Sequence, residues 1–503
     1  MPDGSAPSSR PRFRLAIVGG GIAGLTLAVA LGRYDDPAAP IEIHMYESGK
    51  EITTVGAGIS VWPRTWGIMR QLGLFEDLSA AAVQPPEGSP EMKPGFVFRK
   101  SDQKEDGYEF GQVMIPSGAT TMHRADMVDV LVKHLPASCA IHTSKRLTHY
   151  TESPKAGPDG STVYILHFAD GTSTEADVII GADGIKSKTR ATMYEYAHQR
   201  ECPNAATISK EACDRCKKAT PKWTGTVAYR YLLPTERMRE VNPEHSALRI
   251  KCPLSYSGKS KHVITYPISH GKYLNWIGFV TIPGGEGQPY PNRWVIDASQ
   301  QELAEHFSGF EPEVGQMIQL VEKPQLWAIH EMGDLPFSVF GGVALMGDAV
   351  QAMRTHFGAG GGQAIEDAYI LGRLLADRRT TLASVADVLH IYQNARLPFG
   401  RRVVSNAKQA GLMYEFDWPG LYDGSPTAAA TPEETSKLER QQLQELRDAI
   451  QKIWQWQWLE RVEDVWEQAE KEYEALVSRR KEISNGVNET MDSARKPWSC
   501  VIC

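Results

Sequence analysis

The sequence predicts an α/β fold in which a parallel-sheet, dinucleotide-binding domain is split by an inserted, mainly antiparallel sheet and followed by a helical tail. Three observations predict it. Leu15-Ala16-Ile17-Val18 is a wholly apolar run that enters a glycine turn, Gly19 to Gly24, and then a long apolar segment, so it reads as buried strand, tight turn and helix. Two further apolar runs far downstream, Asp177 to Ile180 and Val343 to Met346, also end in Gly and Asp. Between them, from about Trp223 to Trp294, alternating segments such as His262-Val263-Ile264-Thr265-Tyr266 read as a second sheet. With the strand Ile41 to Tyr46 closing a β-α-β unit, the first domain is of Rossmann type.

Length and composition fit two packed domains with an appendage. The chain has 503 residues, 42% hydrophobic and 23% charged, and its formal charge of -7 has no single-sign block behind it, which argues against nucleic acid as a partner. No stretch reaches the roughly 20 apolar residues of a membrane helix, and the start is polar, so a cytoplasmic protein is expected. Cysteines number seven, an odd count without a secreted framework. Cys213 and Cys216 form one CxxC near Cys202, with no second pair or nearby His at finger-like spacing. Free surface thiols and no metal are expected there.

Gly19, Gly21 and Gly24 complete a GxGxxG, whose glycines allow the tight turn, backbone approach to a pyrophosphate and close helix packing. Glu47 ends the next strand, where a carboxylate can hold ribose hydroxyls. Asp348 ends the strand from Val343, and the run Gly358 to Gly362 precedes a helical segment from Gln363. A helix start there offers free N–H groups and a positive dipole end, suited to an anionic ring edge, while Asp348 can accept from ribityl or ribose hydroxyls.

Together with Gly56-Ala57-Gly58-Ile59, His123-Arg124-Ala125-Asp126 and Gly181-Ala182-Asp183-Gly184, these motifs resemble the group A flavoprotein monooxygenases, in particular the fungal salicylate-hydroxylase-like branch, over residues 13 to 400. The resemblance implies FAD as cofactor, with Glu47 on its ribose, Ala57 and Gly58 approaching the flavin, Arg124 on the FAD chain, Asp183 near the pyrophosphate and nicotinamide path, and Gly361 beside the isoalloxazine. It also implies NAD(P)H as a transient co-substrate, since no second strand-GxGxxG-helix unit exists to hold it, and O2 delivered through a flavin C4a-hydroperoxide to a phenolic or aromatic-acid substrate, with decarboxylation or dearomatisation among the outcomes. The chain departs from the family pattern at Gln351 and Thr355, where relatives carry His and Pro, which changes the polarity and stiffness of the pocket edge.

An attacked phenol reacts faster as its phenolate, so a base or cation near its oxygen is expected. Arg230 sits where related dearomatising and salicylate-type enzymes carry a substrate-binding Arg. His262 and Tyr266, four apart on a predicted strand, share one face. Arg230 is assigned to the substrate oxyanion, Tyr266 to a hydrogen bond with it, and His262 to the proton. Epoxidation of a prenylated or terpenoid substrate, a flavin dehydrogenase or reductase without oxygen insertion, and a non-catalytic FAD-stabilised binding protein are the rival readings.

The expected division is a disordered leader 1–13, FAD-binding segments 14–80, 121–200 and 336–412, substrate-domain segments 81–120 and 201–335, a helical region 413–485 and a flexible tail 486–503. Thr431-Pro432-Glu433-Glu434 supplies an N-cap, a first-turn Pro and a capping-box Glu. Leu443, Leu446, Ile450 and Ile453 keep one apolar face, extended by Trp454, Trp458 and Trp466, and Asn485-Gly486 is the expected stop. The last four residues, Cys500-Val501-Ile502-Cys503, have the form of a C-a-a-X box, so weak membrane association through a prenylated Cys500 is an added expectation.

Overall fold

Apolar runs long enough to be buried on both faces favour a parallel sheet, and the strand Arg14–Val18 lies inside one. The structure, a computed structural model, describes all residues except 1–10, 54–57, 85–87, 89, 154–160, 426–428 and 495–503. The six-stranded sheet runs in the order Val339–Phe340, Val343–Leu345, Val178–Gly181, Arg14–Val18, Glu42–Tyr46, Cys139–His142. Every pairing is parallel except the hairpin of the first two strands. The register Val18↔Gly181 and Gly181↔Leu345 brings the three carboxyl ends into line, each followed by a glycine turn or an acidic residue. In open α/β sheets such a crevice outside the strand ends is where ligands bind.

The expectation of a disordered leader up to residue 13 is corrected at its end. Phe13 is buried, and Arg12 pairs with Asp35 at 2.7 Å and donates to the carbonyls of Ala376, Asp377 and Thr380. A guanidinium with that many acceptors ties the chain to the body before the first strand begins.

The second sheet has eight strands, in the order Val295–Asp297, Gln325–Glu331, Lys222–Pro234, Tyr273–Glu286, Lys261–Ile268, Leu254–Gly258, Met92–Lys100, Tyr108–Pro116. It is antiparallel except where Leu254–Gly258 meets Met92–Lys100. One face carries Arg230, Ile264, Tyr266, Ile277 and Phe279 toward the parallel-sheet domain. Trp276 and Gly278, on the other face, meet Phe307 at the end of the helix Gln300–His306. Both faces are therefore covered, which is why these strands are more apolar than a half-exposed sheet requires.

The helix Val385–Tyr414 joins the two cores. Its 30 residues span about 45 Å at about 1.5 Å per residue. Val388, Leu389 and Tyr392 pack in the first core, and Val403, Ala407 and Ala410 in the second. In the tail, Thr431 Oγ1 accepts from the Glu434 amide at 3.2 Å and opens the helix Pro432–Trp454. Leu443, Leu446, Ile450 and Trp454 are buried on it. Gln451 exchanges hydrogen bonds with the Met114 backbone, so the tail covers the edge strand Tyr108–Pro116 of the second sheet. Two further helices follow, Trp456–Leu459 and Val462–Ala494. The expected stop at Asn485-Gly486 is not one, since the last helix continues to Ala494. The Cys500–Cys503 motif lies outside the described residues. Among the described residues, no helix is long and apolar enough to cross a membrane.

The cysteines of the polar insertion also differ from expectation. Cys213 and Cys216 are buried rather than surface thiols, and they meet Cys202 and His198. His198 comes from the preceding helix Lys188–Glu201, upstream of the CxxC rather than at finger-like spacing after it.

Candidate active site

A cavity of about 320 Å³ lies between the carboxyl ends of the parallel strands and the face of the second sheet. The first helix, Ile22–Tyr34, points its N-terminus at it through Gly21, Ile22 and Ala23. Gly19 is held at φ +111°, and a Cβ there would lie 2.4 Å from the Ala182 carbonyl oxygen. A Cβ at Gly24 would lie 2.1 Å from the Gly19 carbonyl oxygen, so both positions exclude side chains. At Gly21 nothing lies within 4 Å of a Cβ, because that position opens into the cavity.

Glu47 does not line the cavity wall, but its Oε2 accepts from the Gly20 amide at 2.8 Å and its Oε1 from the Gly49 amide at 2.6 Å. It thus fixes the glycine turn and keeps lone pairs for further donors. Ala57 lies outside the described residues. Gly58 lines the cavity and abuts Tyr266, whose ring would stand 2.4 Å from a Cβ placed there. Arg124 also lines the cavity, and its Nε is buried without a hydrogen-bond partner. Asp183 is turned away: its carboxylate accepts from Ser187 Oγ, the Lys188 and Thr189 amides and Thr189 Oγ1, which secures the start of the helix Lys188–Glu201. The backbone on either side of it, Ala182 and Gly184, forms the wall instead.

Asp348 faces the cavity, and the surface it exposes is cavity surface, for protein surrounds it. Burial raises its carboxyl above the ordinary value, and the Arg124 charge opposes that shift. The helix Gly360–Ala376 presents Gly360 and Gly361 at its N-terminus, with Gly361 set so close to Ile59 that a Cβ would lie 2.7 Å from it. Behind that helix, Arg396 binds Glu366 at 2.8 Å and Asp367 at 2.7 Å, all buried, and Asp367 Oδ2 accepts from the Gly347 amide at 2.9 Å. Gln351 donates to the same Asp367 oxygen at 2.8 Å, so it supports this network and does not stand at the pocket edge. Thr355 does line the cavity.

On the opposite wall, Arg230 points in from the strand Lys222–Pro234, its guanidinium 4.9 Å from the Trp327 ring. Among the described residues it pairs with no carboxylate, its Nε has no hydrogen-bond partner, and burial lowers its pKa. Tyr266 stands nearby with its phenol pushed up to about 12 by burial. Asn275 lies directly across the strand pair from it.

His262 is not in the cavity. Although it shares a face with Tyr266, four residues carry it about 13 Å along the strand, level with Phe279, on which it stacks at 4.5 Å. There it bonds Glu415 at 3.0 Å, fully buried, and burial pushes its imidazole down to about 3. Its assignment as the base facing substrate is corrected. The histidine that lines the cavity is His356, 5.2 Å from His262 between ring centres and likewise pushed down to about 3 by burial. His356 carried a faint signal in the sequence, as a histidine between Asp348 and the glycine run. Glu415, 153 residues from its partner, carried none.

The FAD binding domain family model matches residues 12–255 and 323–407, the segments that build the parallel sheet and most of the cavity. The chain belongs to this family. It is 33% identical to a salicylate hydroxylase of Pseudomonas putida over 81% of this chain and 87% of that one. It is 32% identical to the 6-methylsalicylate 1-monooxygenase of Aspergillus terreus over 81% and 84%. A solved structure of a salicylate hydroxylase with substrate superposes with a TM-score of 0.70 at 29% identity, covering 92% of this chain and 98% of that one. FAD is the cofactor of this family member, and the cavity suits it: an open Gly21 at a helix N-terminus, an Arg124 whose Nε has no hydrogen-bond partner among the described residues, and a second helix N-terminus at Gly360 give one electropositive path for an anionic pyrophosphate and ring edge.

Proposed function

We propose that the protein is a single-component flavin monooxygenase that uses NAD(P)H and O2 to hydroxylate a phenolic or aromatic acid. One observation carries this reading: Arg230 keeps a guanidinium that protein surrounds and that, among the described residues, has no carboxylate partner, in a wall that is otherwise aromatic and aliphatic. A desolvated cation without a counter-ion is costly unless a ligand supplies one, and an aromatic acid supplies both the charge and a ring for Ile264, Ile277 and Phe279. The relatives, a salicylate hydroxylase and a 6-methylsalicylate 1-monooxygenase, are named for that substrate class.

FAD bound in this cavity would take two electrons from NAD(P)H and pass them to O2, which supplies the oxygen atom to be transferred and releases its other atom as water. The chain's own residues bind and orient. Arg230, stacked near Trp327, takes the carboxylate or phenolate. Tyr266 stays a neutral phenol at any working pH and donates to the same oxygen. His356 offers a neutral imidazole to a ring hydroxyl, the part first assigned to His262. Apolar walls exclude water from the reacting ring. A need for NAD(P)H fits a cytoplasmic site of action.

The test is Arg230→Ala in the holoenzyme. Bound FAD should stay at wild-type stoichiometry, while affinity for salicylate-type acids falls about ten- to a hundredfold, the loss of a charge-assisted bond of roughly 1.5–3 kcal/mol. NAD(P)H oxidation should become uncoupled and yield hydrogen peroxide. Unchanged affinity and coupling across the accepted acids would place the substrate anion elsewhere.

A further inference from the structure

Outside the cavity, the insertion between the helix Lys188–Glu201 and the strand Lys222–Pro234 gathers four metal-ligating side chains. His198 lies in the last turn of that helix and Cys202 caps it, so the two share a face at i, i+4. Cys213 and Cys216 return to the same point from the far end of the insertion. His198, Cys213 and Cys216 are buried, and the four ligand atoms all lie within 4.8 Å of one another.

The spacing matches a tetrahedral ion. Two Zn–S bonds of about 2.3 Å at the tetrahedral angle hold their sulfurs about 3.8 Å apart. Here Cys202 Sγ stands 3.6 Å from Cys216 Sγ and 3.7 Å from Cys213 Sγ. A disulfide would need about 2.05 Å and would join two of the three sulfurs, leaving one thiol and the imidazole unexplained.

The surroundings are those of ligands. His198 Nε2 donates to the Ile208 carbonyl at 3.0 Å, which sets the tautomer and leaves Nδ1 with a bare lone pair. That Nδ1 is buried and has no geometric hydrogen-bond partner among the described residues, and the side chain that faces the ring is the Cys213 thiol. Backbone amides of Cys216 and Arg215 face the Cys213 sulfur, and the Arg215 side chain lies against Cys202, so donors and a cation stand ready for thiolates. Four protein ligands complete a tetrahedron, as in structural rather than catalytic zinc sites.

We infer that His198, Cys202, Cys213 and Cys216 bind one structural Zn(II) in a Cys3His site that staples the insertion. Three thiolates and one imidazole suit zinc among the common divalent ions, and binding releases the protons of those thiols that are still protonated. The staple bears on the cavity indirectly. Arg190, on the same helix, donates to the Ala219 carbonyl at the end of the insertion at 2.9 Å and to the Ala349 carbonyl, beside Asp348, at 2.8 Å.

The test is the metal content of the tag-free wild-type protein, purified without chelator, by inductively coupled plasma mass spectrometry. About one zinc per chain is expected. Cys213→Ser with Cys216→Ser should bring it to background, whereas Cys139→Ser, outside the cluster, should leave it unchanged. Cobalt in place of zinc should give the d–d bands of a tetrahedral thiolate site, to the red of flavin absorption. Wild-type protein that carries no zinc and takes up neither zinc nor cobalt after reduction would overturn the inference. So would zinc that survives the double substitution. Wild-type content and the cobalt spectrum decide the matter even if the variant does not fold.

Discussion

Asp348 and Arg124 face each other's charge across the cavity that holds the cofactor. If Asp348 accepts from a hydroxylated part of FAD, as the family resemblance implies, Asp348→Ala should lower cofactor affinity by about 1–3 kcal/mol per bond lost. Flavin fluorescence released on dilution measures it, and retention equal to wild type would remove Asp348 from the FAD contacts. The buried pair His262 and His356 gives a prediction of another kind. Both imidazoles lie far below the ordinary 6.5, so their stabilisation is fully present above that value and is lost as pH falls toward about 3. Glu415, raised from 4.5 to about 7 by burial, has the opposite sign: its contribution is present below 4.5 and is lost as pH rises toward about 7. His262→Gln removes one acid-side contribution, so Tm should decline less steeply between pH 6.5 and 4.5 than in wild type. Parallel Tm profiles would show that His262 does not titrate across unfolding. Strand alternation made the shared face of His262 and Tyr266 legible, but not the length of wall that the cavity covers. Phe279 and the end of a distant helix decide that, and no local pattern reports them.

At the level of elements, the tail packs behind the cavity wall. Trp454 is fully buried, donates to Tyr414 Oη at 2.7 Å and meets Trp62 edge-on at 5.0 Å between ring centres. Trp62 lines the cavity and donates to the carbonyl of Phe357, which lines it too. Trp454→Ala should therefore destabilise the protein by about 3–5 kcal/mol. A chemical denaturation midpoint unchanged by that substitution would contradict this packing. The apolar face of Leu443, Leu446 and Ile450 and the cap at Thr431 were readable because both are local. The partner strand, the break after Trp454 and the run through Gly486 were not: an isolated glycine costs a helix only about 1 kcal/mol. Arg396 with Glu366 and Asp367 was equally hidden, since two helices must pack before these charges meet.

For the whole molecule, the parallel-sheet domain was legible because three of its strands, Arg14–Val18, Val178–Gly181 and Val343–Leu345, run into a glycine or acidic signal that a nucleotide site needs. The inserted sheet was legible in outline, from alternation alone. That one face of it closes over the carboxyl ends of the other sheet depends on the helix Val385–Tyr414 linking both cores, and this placement turns a cofactor site into a reaction chamber. Hydroxylation in that chamber is tested most directly by single turnover of the NAD(P)H-reduced holoenzyme with salicylate-type acids under oxygen-18 gas. A flavin monooxygenase incorporates one labelled oxygen atom into the ring of the product, with the other released as water. Oxidation of NAD(P)H that yields only hydrogen peroxide or a dehydrogenated product, with no label in any aromatic acid tested, would contradict it.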